Sequence, residues 1–239
     1  MSFISRVPAS GATKDSAGAT LTTDTLAYAA AVGVGNFLIL RARIGNGIAH
    51  TITVSDSVNA GNWVKASNGF VSGNCEVVIF YKENTLAGTP TVTISWTDAA
   101  ASLRWEIAEY SGVATSSGLD KFTSNTGATG SATGTSVTPS TDNQLVTGVV
   151  GNNVTMTVTA GTNYGLVAQV PAAPNTRMAT EDWIQTTATA TSTDFTFSDT
   201  TQSWAVATAT FKAASGVLVS KDDDMTLRPF QFAQSRGRM

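Results

Sequence analysis

Short runs of apolar residues with a period of two recur along the whole chain, and they constrain its fold more than any other feature of the sequence. In the clearest run, Leu103–Tyr110, the residues Leu103, Trp105 and Ile107 alternate with other side chains. A period of two is the mark of a β-strand with one buried face. We therefore predict a central strand at Leu103–Tyr110, around which the rest of the chain is organised as sheet.

The other predicted strands share this apolar pattern and are bordered by glycine, asparagine and serine, which favour turns. The clearest of them are Asn36–Ile44, Thr51–Ser55, Glu76–Lys82, Thr91–Trp96, Gln144–Val150 and Ser203–Lys212. No long helical pattern and no repeat of fixed period is evident. Many short strands of this kind are typical of an all-β protein, a two-sheet antiparallel β-sandwich or jelly roll. Residues 111–134 have few apolar anchors and predict a long loop with one short edge strand.

A length of 239 residues suits a single all-β domain, which we place at residues 19–214. Residues 1–18 are small and polar and predict an extended N-terminal arm. Residues 215–239 predict a linker and a C-terminal arm, in which Met225–Met239 contains arginine and phenylalanine but no acid. Because these residue types are enriched at protein interfaces, we expect the arm to bind a partner through Arg228, Phe230, Phe232, Arg236 and Arg238.

Composition narrows the possible partners. Charged residues make up 13% of the chain, against about 25% in an average domain, and the net charge is −3. Such a low-charge β-protein is typical of extracellular surfaces and virus particles, and it has no basic footprint for nucleic acid. No apolar run approaches the length of about 18 residues that spans a membrane, and Met1–Arg6 lacks the apolar core of a secretory signal.

Single copies of two residue types limit the chemistry. Cys75 is the only cysteine and His50 the only histidine, so a zinc site built from both types is excluded by count. A Ser-His-Asp triad would have to use His50, which stands at an ordinary strand start. We predict that Cys75 is a free, non-catalytic thiol, that the protein is not an enzyme, and that it holds no metal or cofactor.

Glu109 is the most informative acid, because the alternation places it on the same face as Trp105 and Ile107. It can be a general acid or ligand contact, or a buried carboxylate that accepts backbone N–H bonds from a neighbouring turn. We favour the second alternative, since no other acid stands at a clear partner spacing. Glu106 and Asp120 are the candidate partners for paired-carboxylate chemistry, but their spacing from Glu109 does not define a pair. The lack of paired acids disfavours a glycoside-cleaving enzyme.

Two further motifs have an ordinary and a functional interpretation. The oxygen-rich loop with Asp56, Asn59 and Asn62 can bind calcium, but turn formation fits its ligand density better. The acidic run at residues 222–224 is typical of a solvated linker. Among the tryptophans we expect Trp96, Trp105 and Trp204 in the core, whereas Trp63 and Trp183 stand beside polar residues and are candidates for sugar stacking.

Several turn and strand motifs together resemble a widespread family of β-sandwich modules, which occur in bacterial surface proteins and in structural proteins of tailed bacteriophages. The motifs are Val54-Ser55-Asp56-Ser57 with Gly61-Asn62-Trp63, Phe80-Tyr81 with Ala87–Thr93, Glu109–Val113, Leu119-Asp120, Asp142–Val146, and Trp204 with Thr210-Phe211. The resemblance covers roughly residues 20–214. It is specific for a fold, and it carries over no catalytic residue.

The resemblance implies a non-enzymatic bacteriophage virion protein, assembled in the host cytoplasm. Within that class we expect a capsid decoration or cement protein, or another head-associated protein, that docks through its terminal arms. The expected partners are the major capsid protein or other virion subunits, with self-association. The alternative is a carbohydrate- or receptor-binding module of a phage fibre or surface protein, for which the partner is a glycan.

Overall fold

The computed structural model describes residues 3–215, apart from the side chains of residues 17–20. These residues form seventeen β-strands and no helix. The strands pair in antiparallel fashion throughout, in four sheets that pack on one another. The predicted all-β sandwich is therefore confirmed, although it has four sheets where the sequence analysis expected two. The jelly-roll connectivity stays a prediction.

The first half of the chain builds a large sheet and a small one. Its strands are β1 (Ser5–Arg6), β2 (Ala12–Leu21), β3 (Thr23–Ala27), β4 (Phe37–Gly45), β5 (Ile52–Asp56), β6 (Val64–Val71), β7 (Cys75–Lys82), β8 (Thr91–Trp96) and β9 (Ala101–Ser111). The large sheet has the order β1–β9–β4–β7–β6, and β2 pairs with the same strand β9 that β1 pairs with. The small sheet has the order β3–β8–β5.

The second half builds another large and another small sheet. Its strands are β10 (Leu119–Gly127), β11 (Ser131–Thr133), β12 (Gln144–Met156), β13 (Val158–Ala160), β14 (Gly165–Val170), β15 (Thr176–Gln185), β16 (Asp194–Phe197) and β17 (Trp204–Phe211). The large sheet has the order β10–β17–β12–β15–β14, and the small sheet has the order β11–β16–β13.

The two halves repeat one topology. If each strand from β2 to β9 is matched with the strand eight places later, the order β2–β9–β4–β7–β6 becomes β10–β17–β12–β15–β14. By the same matching, β3–β8–β5 becomes β11–β16–β13. Where the sequence analysis placed one sandwich at residues 19–214, the chain thus contains two eight-stranded sandwiches of identical strand order.

Three hydrophobic cores hold the four sheets together as four layers. The central core lies between the two large sheets, where Phe37 of β4 and Phe211 of β17 pack with ring centroids 4.6 Å apart. The outer core of the first half contains Leu40 and Trp105, and that of the second half contains Phe195. Both large sheets are buried on both faces, which explains why strands such as β4, β7 and β17 are apolar along most of their length.

The central strand β9 shows how this layering extends the sequence-based expectation. Trp105 and Ile107 are fully buried in the outer core of the first half, as the alternation predicts. Arg104 and Glu106 stand on the opposite face, which a half-buried strand would expose to water. They are buried too, with 3% exposure each, because that face packs against the second half of the chain.

The N-terminal segment differs from the arm predicted for residues 1–18. Its β1 and β2 both pair with β9, and Ala12 lies opposite Ile107. The pairing satisfies backbone N–H and C=O groups along β9 that an edge strand would leave free. The predicted loop at 111–134 likewise contains β10, a largely exposed edge strand whose polar sequence carries little apolar signal. Of the predicted linker and C-terminal arm, residues 216–239 lie outside the described residues.

Candidate functional site

A buried ion pair lies in the layer between the two large sheets. The register of β4 and β9 places Arg41 opposite Glu106, and Arg41 Nη2 donates to Glu106 Oε1 over 2.7 Å. Their side chains are 0% and 3% exposed. The other oxygen of Glu106 accepts a hydrogen bond of 2.8 Å from the hydroxyl of Thr180, which belongs to β15 in the second half.

More hydrogen bonds of this layer join the two halves. Arg41 also donates to the hydroxyl of Thr147 on β12. The Tyr110 hydroxyl donates to Asp182 Oδ2 over 2.7 Å. Burial alone would lower the pKa of Arg41, but the neighbouring Glu106, Tyr110 and Asp182 together outweigh it and hold the pKa above its ordinary value. With both oxygens engaged, Glu106 acts as an anionic cross-link between the halves.

A cleft of about 270 Å³ opens beside this network, where the β1–β2 segment meets β14. Arg6, Thr13, Glu106 and Val167 contribute to its walls. Arg6 Nε lies 4.0 Å from Asp182 Oδ2. The cleft thus combines one cation and one acidic residue with apolar and hydroxyl groups, which suits binding of a small polar group. In the described part of the chain, no three His, Cys, Asp or Glu side chains cluster as metal ligands.

Glu109 takes the structural role that the sequence analysis favoured. It is 1% exposed, and its Oε1 accepts hydrogen bonds from the backbone N–H of Gly33, over 2.8 Å, and from the side-chain amide of Asn36. These donors belong to the turn that leads into β4. The carboxylate therefore fixes that turn against the end of β9.

The candidate acids for paired-carboxylate chemistry do not come together. Glu106 faces the second half of the chain, whereas Glu109, three residues further along the same strand, points to the opposite face. Asp120 on β10 accepts bonds from Ser140 and Gln144 and so fixes a different turn. None of the three shares a hydrogen-bond partner with another.

The two single-copy residues are both buried. His50 Nδ1 lies 3.2 Å from Glu76 Oε2, and its Nε2 has no hydrogen-bond partner among the described residues. No serine hydroxyl in that part of the chain bonds to it, so the geometry of a triad is not met there. Cys75 is a free thiol, fully buried in the central core. Burial raises the pKa of Cys75, which keeps the group a neutral thiol.

The oxygen-rich loop and the tryptophans follow their ordinary interpretations. Asp56 Oδ1 accepts the backbone N–H groups of Val58 and Asn59 over 2.8 and 2.7 Å, as in an Asx turn. Its other oxygen accepts from the indole of Trp63, which is only 4% exposed and therefore offers no sugar platform. Trp96, Trp105 and Trp204 are core residues as predicted. Trp183 is half-buried and packs edge-on against Tyr164, at 5.7 Å between ring centroids.

Glu181 gives the structure a pH dependence that can be measured. Burial raises its pKa to about 8, although its two oxygens accept the backbone N–H groups of Gly161 and Asp194. Between the unfolded pKa near 4.5 and the folded value, the folded state holds a proton that the unfolded state lacks. We therefore expect the contribution of Glu181 to the free energy of unfolding to fall as pH rises from 5 to 8.

Urea denaturation of the wild type and of Glu181→Gln at pH 5, 6.5 and 8 measures this effect. The variant should lose less stability than the wild type between pH 5 and pH 8, because its side chain does not ionise. Parallel pH profiles for the two proteins would contradict the assignment.

The predicted partner-binding residues, Arg228, Phe230, Phe232, Arg236 and Arg238, lie outside the described residues. The ion pair of Arg41 and Glu106, which lies in the layer between the halves, was not predicted at all. One signal for it is present in the sequence: Arg41 and Arg43 stand two positions apart within the apolar strand β4, so both point to one face. Charges that recur on one face of a strand buried on both sides must find partners there.

Comparisons of the chain with protein-family models, with curated proteins and with solved structures found no match. The described residues form no helix, and therefore none that could span a membrane.

Proposed function

We propose that the protein is a non-enzymatic structural component of a tailed-bacteriophage particle, which decorates or cements the capsid or occupies another head-associated position. The observation that carries the proposal is the doubled topology. Each half has eight antiparallel strands in two packed sheets, and eight-stranded double-sheet jelly rolls are an architecture of viral capsid domains. The proposal therefore includes jelly-roll connectivity for each half.

The distribution of polar groups supports a scaffold role. Glu106 and Glu109, the acids best placed for chemistry, are occupied in fixing one part of the fold to another. The body is a four-layered stack whose central core joins the halves. Such a rigid body suits a particle component that must hold its shape while neighbouring subunits contact it.

One end of the molecule supports docking. Residues 32–36 run antiparallel to residues 85–88, and this pairing sets Val34 beside Leu86. Their exposures are 73% and 58%, which is unusual for neighbouring aliphatic side chains. The last described segment ends nearby, where the Ala214 N–H donates to the Gly112 carbonyl just beyond β9. The described part of the chain therefore ends at this end of the molecule, and we propose that the C-terminal arm, with its arginines and phenylalanines, binds the major capsid protein, another virion subunit or a second copy.

A truncation tests the proposal. Deletion of residues 225–239 should leave the melting temperature nearly unchanged and should prevent incorporation of the protein into particles, measured by immunoblot of gradient-purified virions. The full-length protein, and a Phe122→Ala variant changed at an exposed site on β10, serve as controls and should be incorporated. Absence of the full-length protein from purified particles would overturn the proposed function. Normal incorporation of the truncated chain would overturn only the role of the arm.

A glycan-binding module is the second candidate, because lectin domains share the double-sheet architecture. The specific observation in its favour is the half-buried pair of Trp183 and Tyr164. The edge-on contact of the two rings gives no flat platform, which ranks this candidate second. A glycan array with the wild type and Trp183→Ala separates the two functions, since only a glycan module should give signals that the substitution removes.

A further inference from the structure

Two arginines, Arg43 and Arg104, lie side by side in the layer between the halves. They are two residues along their strands from Arg41 and Glu106. The register of β4 and β9 pairs Arg43 directly with Arg104, and that of β9 and β2 pairs Arg104 with Asp15. Directly opposed like charges on neighbouring strands are destabilising. This row therefore contains two positive charges and one negative charge, whereas the adjacent row balances Arg41 with Glu106.

Burial makes this imbalance costly. Arg43 and Arg104 are 1% and 3% exposed. Asp15 Oδ1 lies 3.4 Å from Arg104 Nε, but Nε and Nη1 of Arg104, together with Nε of Arg43, have no hydrogen-bond partner among the described residues. A buried cation without full compensation is strongly destabilising, as is a buried ion pair that has lost one partner.

The groups around Arg43 do not supply the missing negative charge. Its guanidinium donates to the Ser102 hydroxyl over 3.1 Å and to the side-chain oxygen of Asn153, which are both neutral. The Cys75 thiol beside it stays neutral, because burial raises its pKa. Burial lowers the pKa of both Arg43 and Arg104, and the charge of a third arginine, Arg177 of the second half, lowers both further.

The chain is shaped to keep Arg43 at this place. A Cβ atom at Gly45 would overlap the guanidinium of Arg43, and a Cβ atom at Gly151 would lie 2.6 Å from its Cγ. Gly45, two residues along the same strand, and Gly151, on the facing sheet, thus make room for the side chain. Asp15 lies at the outer end of this row, and its side chain is 30% exposed, so the row reaches solvent.

We infer that the layer between the two halves contains a binding site for a small tetrahedral oxyanion, phosphate or sulfate, held by Arg43 and Arg104. An oxyanion accepts a hydrogen bond from the unpartnered Nη1 of Arg104 and balances the charge of the row, and guanidinium groups form strong, charge-assisted hydrogen bonds with such ions. Asn153 of the second half accepts a hydrogen bond from Arg43, so the site adjoins a contact between the two sandwiches.

Arg104→Met tests the site, because it removes the charge and keeps much of the apolar stem. Thermal unfolding is measured in Tris-chloride with added sodium phosphate, sodium sulfate or sodium acetate, and with sodium chloride at matched ionic strength. Phosphate or sulfate should raise the melting temperature of the wild type by several degrees in a saturable way. The same ions should leave the melting temperature of Arg104→Met at its value in chloride. Lys121→Gln, a change of charge on the exposed strand β10, is the matched control and should respond as the wild type does.

The measurement without oxyanions separates this site from a structural role of the arginine. In Tris-chloride alone, Arg104→Met should be at least as stable as the wild type, since it removes an uncompensated buried charge. Equilibrium dialysis with radiolabelled phosphate should give one ion per chain, with affinity at least tenfold weaker for the variant. An equal response of both proteins to phosphate, or a large loss of stability of the variant in chloride alone, would overturn the inference. An effect of acetate as large as that of phosphate would assign the site to carboxylates instead.

Discussion

Replacement of Trp105 by alanine should lower the free energy of unfolding by about 3–5 kcal/mol, the range for removal of a large aromatic side chain from a packed core. Trp105 is fully buried at the centre of β9, within the outer core of the first half. Its indole N–H also donates to Asp24 Oδ2 over 3.2 Å, so the substitution removes a hydrogen bond as well. Urea denaturation followed by far-ultraviolet circular dichroism measures the change.

Phe122→Ala is the matched control, because Phe122 is an aromatic residue on a strand but is 61% exposed. A surface substitution of this kind should change the free energy of unfolding by no more than about 0.5 kcal/mol. A loss below about 1 kcal/mol for Trp105→Ala would show that this face of β9 is not a packed core.

The second large effect is expected from Glu106→Gln, which leaves Arg41 as a buried charge without its anion. Removal of one partner of a buried ion pair typically costs about 3–5 kcal/mol. The double variant Arg41→Met with Glu106→Leu should recover most of that loss, because it replaces both charges with apolar groups of similar volume. Denaturant titrations of the two variants and the wild type provide the comparison.

A more exposed pair in the same half gives the contrast. Lys14 Nζ lies 2.5 Å from Asp24 Oδ1, but the lysine side chain is 39% exposed. Lys14→Met should therefore cost less than about 1 kcal/mol, the usual range for an ion pair in contact with water. Equal losses in the free energy of unfolding for Glu106→Gln and Lys14→Met would contradict the view that burial makes the pair of Arg41 and Glu106 more costly to break.

The outer core of the first half could be predicted from sequence because its strands carry unmixed apolar signals. Trp105 and Ile107 alternate on β9, and Val92, Ile94 and Trp96 alternate on β8, and these residues are buried together. Glu109 was also assigned to a turn-fixing role from its phase in the alternation. In each case a single face of one strand contains the whole signal, so local sequence is sufficient.

The doubled architecture could not be predicted, because its defining contacts join residues far apart in the chain. Alternation shows that one face of β9 is buried, but Arg104 and Glu106 give no local sign that the other face packs on residues such as Thr180. Matching strands start between 101 residues (β6 and β14) and 108 residues (β3 and β11) apart, but their side chains differ, so no repeat appears in the sequence. The pairing of β2 with β9 was missed for a related reason: a polar edge strand is specified by its neighbour rather than by its own composition.

The order in which the two halves follow each other has a consequence for synthesis of the protein on the ribosome. All strands of the first large and small sheets precede residue 112, so this sandwich can form before the second half has been made. At common translation rates of about 5–20 residues per second, the remaining residues up to β17 take roughly 5–20 s. During that interval Phe37, Ile39 and Ile79 face water instead of the second half. The nascent chain therefore exposes an apolar, aggregation-prone surface during each round of translation. We expect chaperone capacity to limit the yield of folded protein at high expression.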